Sequence, residues 1–184
     1  MKLNFGCGHN RLEGFINVDK YDTGKQDLIH DLSGGQLPWN SDSVDEIHMI
    51  HFLEHLAYDP EVRIFFLKEV YRICKDKAKI KIVVPHPRHD NFLNDPTHVW
   101  PITAETFNLF DLEKNKFWRD NGYSNSTLAI EHGINFKVIG HKYDFEENTK
   151  HLQYIIPNFP SLIPCLNNVI NQITIMLEVI KSGN

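Results

Sequence analysis

Lys2-Leu3-Asn4-Phe5-Gly6-Cys7-Gly8, followed by Gly14-Phe15-Ile16-Asn17-Val18-Asp19, is the stretch on which the reading of the fold turns. Lys2–Phe5 is a short apolar run that stops at Gly6, as a buried strand does when it ends in a tight turn. Phe15–Val18 is a second such run, closed by Asp19. Outward from this pair, Asp27–His30 reads as a third strand and Val44–Ile50 as a fourth, beyond the turn-rich Ser33–Ser43. Lys79–Val84 alternates Lys-Ile-Lys-Ile and then runs Val-Val into Pro85, a fifth strand. Between the fourth and fifth lies the clearest helix. Asp59 suits an N-cap, Pro60 the first helical position, and Glu61 the positive end of the helix dipole. Val62, Phe65, Phe66, Val70, Ile73 and Cys74 then recur at helical spacing as far as a break near Lys75–Asp76. A strand–helix–strand crossover implies parallel pairing.

The C-terminal third is less periodic. Thr103–Phe110 and parts of Glu113–Asn121 are weaker helix candidates. Phe136–Phe145 is β-like, and Ser161–Asn171 reads as a short helix behind Pro160. Ile173–Ile180 is rich in β-branched residues and reads as a strand; an amphipathic helix over Ile163–Ile180 competes with it. Phe92, Trp100, Phe107 and Phe110 read as core.

The 184 residues show no repeat, linker or low-complexity tract, so residues 1–184 read as a single domain. With 19 Lys and Arg against 24 Asp and Glu, the net charge of −5 gives no basic face for nucleic acid. Lys75, Lys77, Lys79 and Lys81 read as a solvated edge. No run approaches the ~18 apolar residues of a membrane span, and Met1–Asn10 lacks the apolar region of a leader. Cys7, Cys74 and Cys165 are three thiols at no metal-ligand spacing, which reads as a reduced, cytoplasmic protein.

Glycines after the first strand let a ligand approach the backbone, and an acid at the end of the second can accept hydrogen bonds from two ribose hydroxyls. A nicotinamide-dinucleotide site fits poorly. Its third glycine would fall at Arg11, and Asp19 lies thirteen residues after Gly6, short of the roughly 20 usual there. Six segments in order carry a more specific likeness: Asn4–Gly8, Gly14–Asp19, Leu37-Pro38-Trp39, Ser43–Ile47, His51-Phe52-Leu53-Glu54-His55-Leu56, and Glu69-Val70-Tyr71-Arg72-Ile73 ahead of Ile80–Pro85. Together they resemble a class I S-adenosylmethionine-dependent methyltransferase of small type, over roughly residues 2–110, with Ile173–Lys181 similar to that fold's last antiparallel strand.

The resemblance implies an α/β, Rossmann-like fold: a mostly parallel seven-stranded sheet with helices on both faces and an antiparallel last strand. It implies S-adenosylmethionine as cofactor and S-adenosylhomocysteine as product. Gly6, Cys7 and Gly8 would pass under the methionine part, and Asp19 would hold the ribose. Asp31 and Leu32 would border the adenine, while Ile50 and His51 would lie beside the sulfonium. Pro85 would stand near the substrate mouth. The residues themselves leave blander readings open: Cys7 as a small turn residue, Asp31 as a turn cap, and Leu32 and Ile50 as core. Little precedes the first strand and the first crossover helix is abbreviated, so other loops, or a second subunit in a homodimer or other complex, would close the pocket.

Methyl transfer needs alignment and, for a hydroxyl or protonated amine, a base. Histidine suits that role near neutral pH. His98, in Asp95-Pro96-Thr97-His98, is the first candidate and His51 the second. His55, Pro85, His86, Arg88 and His98 are candidates for contact with the acceptor, Arg88 as counter-charge to an acidic or phosphorylated one. His86, His89, Asp90, Asp95 and His98 invite a metal reading, but no helix aligns them, and no metal is expected there. The Asn/Asp-Pro-Pro-aromatic motif of DNA amino-methyltransferases is absent, so the expected acceptor is a small molecule, sugar-like or a cell-envelope precursor, methylated on O or N. The alternative is a non-catalytic S-adenosylmethionine-binding module working through a protein partner.

Overall fold

The computed structural model describes residues 1–149, 151–163 and 166–181. Seven strands form one sheet: β1 (Lys2–Phe5), β2 (Ile16–Asp19), β3 (Leu28–Ile29), β4 (Val44–Ile50), β5 (Cys74–Pro85), β6 (Phe136–Phe145) and β7 (Ile170–Val179). Their order is β3-β2-β1-β4-β5-β7-β6. The first five pair in parallel, and β7 runs antiparallel to both β5 and β6. Helices α1 (Pro60–Ile73), α2 (Asp90–Leu93), α3 (Leu112–Asp120), α4 (Leu128–His132), α5 (Leu152–Ile155) and α6 (Phe159–Leu162) flank it, with 3₁₀ turns at Leu53–His55 and Ala104–Phe110. This is the expected Rossmann-like architecture with its antiparallel last strand. β7 excludes a helix over Ile163–Ile180. The helix expected at Ser161–Asn171 is instead α6, four residues long, because Ile170 and Asn171 already belong to β7. Cys165 lies outside the described residues.

Register explains why the strands read as they do. Leu3, Ile47 and Ile80 align across β1, β4 and β5, as do Phe5, Met49 and Ile82, and all are buried. Helix α1 covers this face: the Phe66 ring lies 6.1 Å from Phe5, and Phe66, Leu67, Val70 and Ile73 are buried. Phe92, Trp100, Phe107 and Phe110 are buried as well. Asp59 caps α1 by accepting from the Glu61 N–H at 2.9 Å, with Pro60 in the first turn. The helix stops at Ile73, before the expected break, because Cys74 already pairs with Val44 and opens β5.

The lysine alternation has a different cause from the one expected. β5 is no edge; it lies between β4 and β7, and Lys79 and Lys81 project from the face opposite the core. There Lys79 aligns with Glu46 and Glu178 and Lys81 with His48. Lys2 meets Glu46 at 2.6 Å, and Lys79 forms an ion pair with Glu178. Opposite charges that face one another across neighbouring strands favour this register.

Two motifs prove to be structural clamps. Glu69 and Arg72 of α1 form an ion pair at 2.7 Å; Glu69 accepts from the Leu37 N–H, and Arg72 donates to the Leu37 and Trp39 carbonyls. They fasten the Leu37-Pro38-Trp39 turn over the core. Asn17 organises the first crossover, which is a loop without a helix. Fully buried, it accepts from the Asn4 amide and the Leu12 N–H, and donates to the Leu12 and Phe15 carbonyls and to Asp27. Each buried polar group left without a partner costs ~1–3 kcal/mol. Asn17→Ala is therefore expected to destabilise the protein by about 3–5 kcal/mol, read as a lower urea midpoint; a loss below ~1 kcal/mol would contradict this account.

Asp27 is held at a pKa of about 2, first by the Asn17 N–H, then by the Asn17 amide and Arg11. Asp45 is also near 2, held by Lys75 and the N-terminal amine. A carboxylate whose folded pKa is depressed contributes stability above its unfolded value and loses it as pH falls through the folded one. The window is about pH 4 down to about pH 2. Urea midpoints across that range should fall less steeply for Asp27→Asn than for the parent; equal slopes would contradict the assignment.

Candidate active site

A cavity of ≈ 440 Å³ opens at the carboxyl ends of β1, β2 and β4, where folds of this kind place ligands. Gly6 and Gly8 form its floor, both with positive φ, +64° and +49°. A Cβ on Gly6 would lie 2.5 Å from the Phe52 ring, whereas nothing stands within 4 Å of one on Gly8. Chain between them must turn left-handed and pass close under Phe52, which only glycine permits at Gly6. Cys7 faces away: it is 3% exposed, its N–H donates to the Val18 carbonyl, and burial raises its thiol pKa. It does not line the cavity.

Asp19 ends β2 on the cavity wall. Its Oδ2 accepts from the Gly8 N–H at 2.8 Å and its Oδ1 from the Tyr21 N–H at 3.0 Å. Those two bonds fix the plane of the carboxylate, and each oxygen retains capacity for a further donor. Asp31 and Leu32 line the same cavity. The Ser33 hydroxyl and N–H both bond Asp31 Oδ1, at 2.7 and 2.9 Å, and hold its carboxyl below the usual range. Asp31 thus caps a turn and borders the cavity at once.

His51 stands at the end of β4 with φ +52°, an uncommon conformation for a residue with a side chain. Its backbone N–H donates to Val83, while its ring reaches Glu54 at 3.3 Å, which raises its pKa. His51 and His55 both line the cavity; Ile50, half-buried in β4, does not. His98 stands behind His55, ring centroids 4.6 Å apart. Pro85, His86 and Arg88 lie at and beyond the end of β5. Pro85 pairs with Gln172 of β7, the His86 N–H donates to Asn171, and the Arg88 carbonyl accepts from Asn168. None of the three lines the cavity.

Sequence reasoning passed over Lys20, Tyr21, His30, Ser33, Phe52, Leu56, Ala57 and Thr97, which also line it. Phe52 and Leu56 sit inside the quoted His51–Leu56 motif and were visible there. The residues after β2 and β3 come from irregular loops with no periodic signal.

The chain has the Rossmann-like fold of class I methyltransferases. No family model matches the sequence, and a search of curated proteins finds no match. Solved structures do. A SAM-dependent methyltransferase from Archaeoglobus fulgidus is 22% identical at TM-score 0.65, over 96% of this chain and 85% of that one. The [4+2]-cyclase SpnF is 11% identical at TM-score 0.55, over 98% and 75%. A putative methyltransferase from Haloferax volcanii, solved with the Trm112 methyltransferase activator, is 13% identical at TM-score 0.51, over 98% and 82%. Identities this low establish the fold, and SpnF shows that the fold does not dictate one reaction.

Proposed function

We propose that the chain is an S-adenosylmethionine-dependent methyltransferase, acting as a single cytoplasmic domain on an oxygen or nitrogen of a small polar molecule. The observation that carries this is the Asp19 carboxylate, held by the Gly8 and Tyr21 N–H groups beside a glycine floor, in a cavity of ≈ 440 Å³. That volume falls in the ~300–1,000 Å³ range of small-molecule sites. Gly6 and Gly8 would carry the methionine part, Asp19 the ribose hydroxyls, and Asp31 and Leu32 the adenine. When bound, the cofactor supplies an electrophilic methyl group on sulfur with a neutral leaving group.

The residues of the chain then have three tasks. Phe52, Leu56 and Ala57 exclude water from the transfer line. The walls align acceptor and methyl group, and alignment alone lowers such barriers by roughly 7–11 kcal/mol. A base takes the acceptor's proton, for a further ~10²–10⁴-fold. His98 suits that role: its Nδ1–H donates to the Phe92 carbonyl at 3.0 Å, which leaves Nε2 to accept. His51, raised in pKa by Glu54, is the second candidate.

Support for the cytoplasm is chemical: Cys7 and Cys74 are free, buried thiols, with burial pushing Cys74 up to about 12. No helix among the described residues is long and apolar enough to cross a membrane. The partner-dependent module is favoured by one feature. Tyr21, on the cavity, and Tyr58, which follows the cavity residue Ala57, are 66% and 83% exposed, as aromatic rims awaiting a partner are. To test the reading, the protein is incubated with S-adenosylmethionine and a fractionated extract of small metabolites, DNA or protein. Release of S-adenosylhomocysteine with the small-molecule fraction supports it. Release only with DNA or protein, or none with any fraction, contradicts it.

A further inference from the structure

Behind the cavity wall, one carboxylate oxygen of Glu54 and one ring nitrogen each of His55 and His98 lie within 4.8 Å of one another. We propose that Glu54, His55 and His98 form a binding site for a divalent transition-metal ion of the Zn²⁺ class. The site goes beyond the methyltransferase reading: an ion held there would occupy His98 Nε2, and His51, which lines the cavity, would then be the base of the transfer.

Glu54 supplies the first reason. It is 1% exposed, and its Oε2 is buried without a hydrogen-bond partner. Among the described residues its Oε1 has one contact, with His51 at 3.3 Å. A carboxylate taken out of water and left half-satisfied is costly, and buried charges are normally paired or coordinate a metal. An ion against Oε2 resolves that cost.

The two histidines supply the second. His98 Nδ1 faces the Phe92 carbonyl at 3.0 Å, and a carbonyl only accepts, so Nδ1 carries the proton. His55 Nδ1 faces Thr97 Oγ1 at 2.9 Å, and Thr97 itself donates to Asp95 at 2.6 Å. The hydroxyl's single proton is thus used, and it must accept from His55 Nδ1–H. In each neutral ring the proton therefore sits on Nδ1, and Nε2 carries the free lone pair. Orientation of a histidine by a carbonyl, or by a hydroxyl backed by a carboxylate, is what metal-ligating histidines require of their surroundings. Asp95 Oδ2 lies 3.7 Å from His98 Nε2, too far to occupy it with a hydrogen bond.

The backbone holds the three residues together. The Glu54 carbonyl accepts from both the Val99 and Trp100 N–H groups, at 2.8 and 3.2 Å, which ties the His98 loop to the 3₁₀ turn carrying Glu54 and His55. Phe92 stacks on His98 from the other side. Two imidazoles and one carboxylate are a donor set for zinc or a neighbouring first-row ion, three protein ligands leaving at least one open position. Bonds of ~2.0–2.1 Å require the donor atoms to draw somewhat closer than they stand. His55 lines the cavity, so the open position would serve an acceptor hydroxyl there, lowering its pKa as bound water is lowered. This set differs from the His86–His98 grouping weighed on sequence. His86 and His89 are engaged locally, by the Arg88 N–H and by the Asn91 N–H with Glu146.

Chelator-treated protein is titrated with Zn²⁺ alone, and with Co²⁺ alone followed by its visible absorption. One equivalent should bind tightly with the Co²⁺ spectrum of a site containing nitrogen ligands. Glu54→Gln and His98→Asn should each weaken binding 100-fold or more, and Thr97→Val, at an exposed supporting position, ~10–100-fold. Far-UV circular dichroism and S-adenosylhomocysteine titration on the same samples report folding and the cofactor cavity separately. Should the Glu54 variant fail to fold, Thr97→Val carries the test. The absence of a stoichiometric site in the parent, or equal affinity in folded variants, would overturn the proposal whatever the cofactor result.

Discussion

Asp19→Ala is expected to weaken binding of S-adenosylhomocysteine by about 10²–10⁴-fold. Two hydrogen bonds from ribose hydroxyls to an ionised carboxylate are each worth ~1.5–3 kcal/mol, and every 1.4 kcal/mol is tenfold in affinity. The carboxylate also receives the Gly8 and Tyr21 N–H groups, so alanine loosens the glycine turn as well. Asp19→Asn separates the two contributions. It keeps one acceptor oxygen for the turn but loses the charge and the second acceptor, so it should fall between parent and alanine. Calorimetric titration of the three proteins checks the order. A loss below tenfold in Asp19→Ala would mean that ribose is held elsewhere.

Gly6→Ala should destabilise the fold by about 2–5 kcal/mol. A left-handed backbone costs a residue with a Cβ ~1–2 kcal/mol, and forcing a methyl into a packed region adds ~1–3 kcal/mol. Crowding is specific here. The new Cβ would stand 2.5 Å from Phe52 Cδ2 and 2.8 Å from its Cβ and Cγ. Phe52 has little room to swing away, because its ring packs edge-on against Phe66 at 5.7 Å and Phe66 is buried. Gly8→Ala is the internal control, with the same backbone sign but open space around the added carbon. Its cost should stay near ~1–2 kcal/mol, the conformational share alone. Urea midpoints of the two variants should differ accordingly; equal losses would show that Phe52 yields.

What the sequence made legible was local. The strand–glycine–strand stretch Lys2–Asp19, the capped helix from Pro60 and the late strand β7 follow from periodicity and turn residues within a dozen positions. What it concealed depended on neighbours. Lys79 and Lys81 alternate because of a charged sheet face, yet alternation names a face and not the strands beside it. Strand β3 has two residues and depends on the Asp27 and His30 N–H groups, which donate to Asn17 and Asp19. Only the fold brings Lys20, Tyr21 and His30 round to Gly6. Pro85, His86 and Arg88 lie at and beyond the end of β5, and pairing with β7 sets Pro85 opposite Gln172 and ties His86 to Asn171, contacts between strands that the sequence does not announce. Glu54 stood in a quoted motif, and its unpaired oxygen becomes visible only with burial.

The most direct measurement on the central claim is isothermal titration of the parent protein with S-adenosylhomocysteine, with NAD as control. This account predicts saturable binding of S-adenosylhomocysteine at one site per chain and none of NAD. Binding of NAD in its place, or of neither ligand, would contradict it.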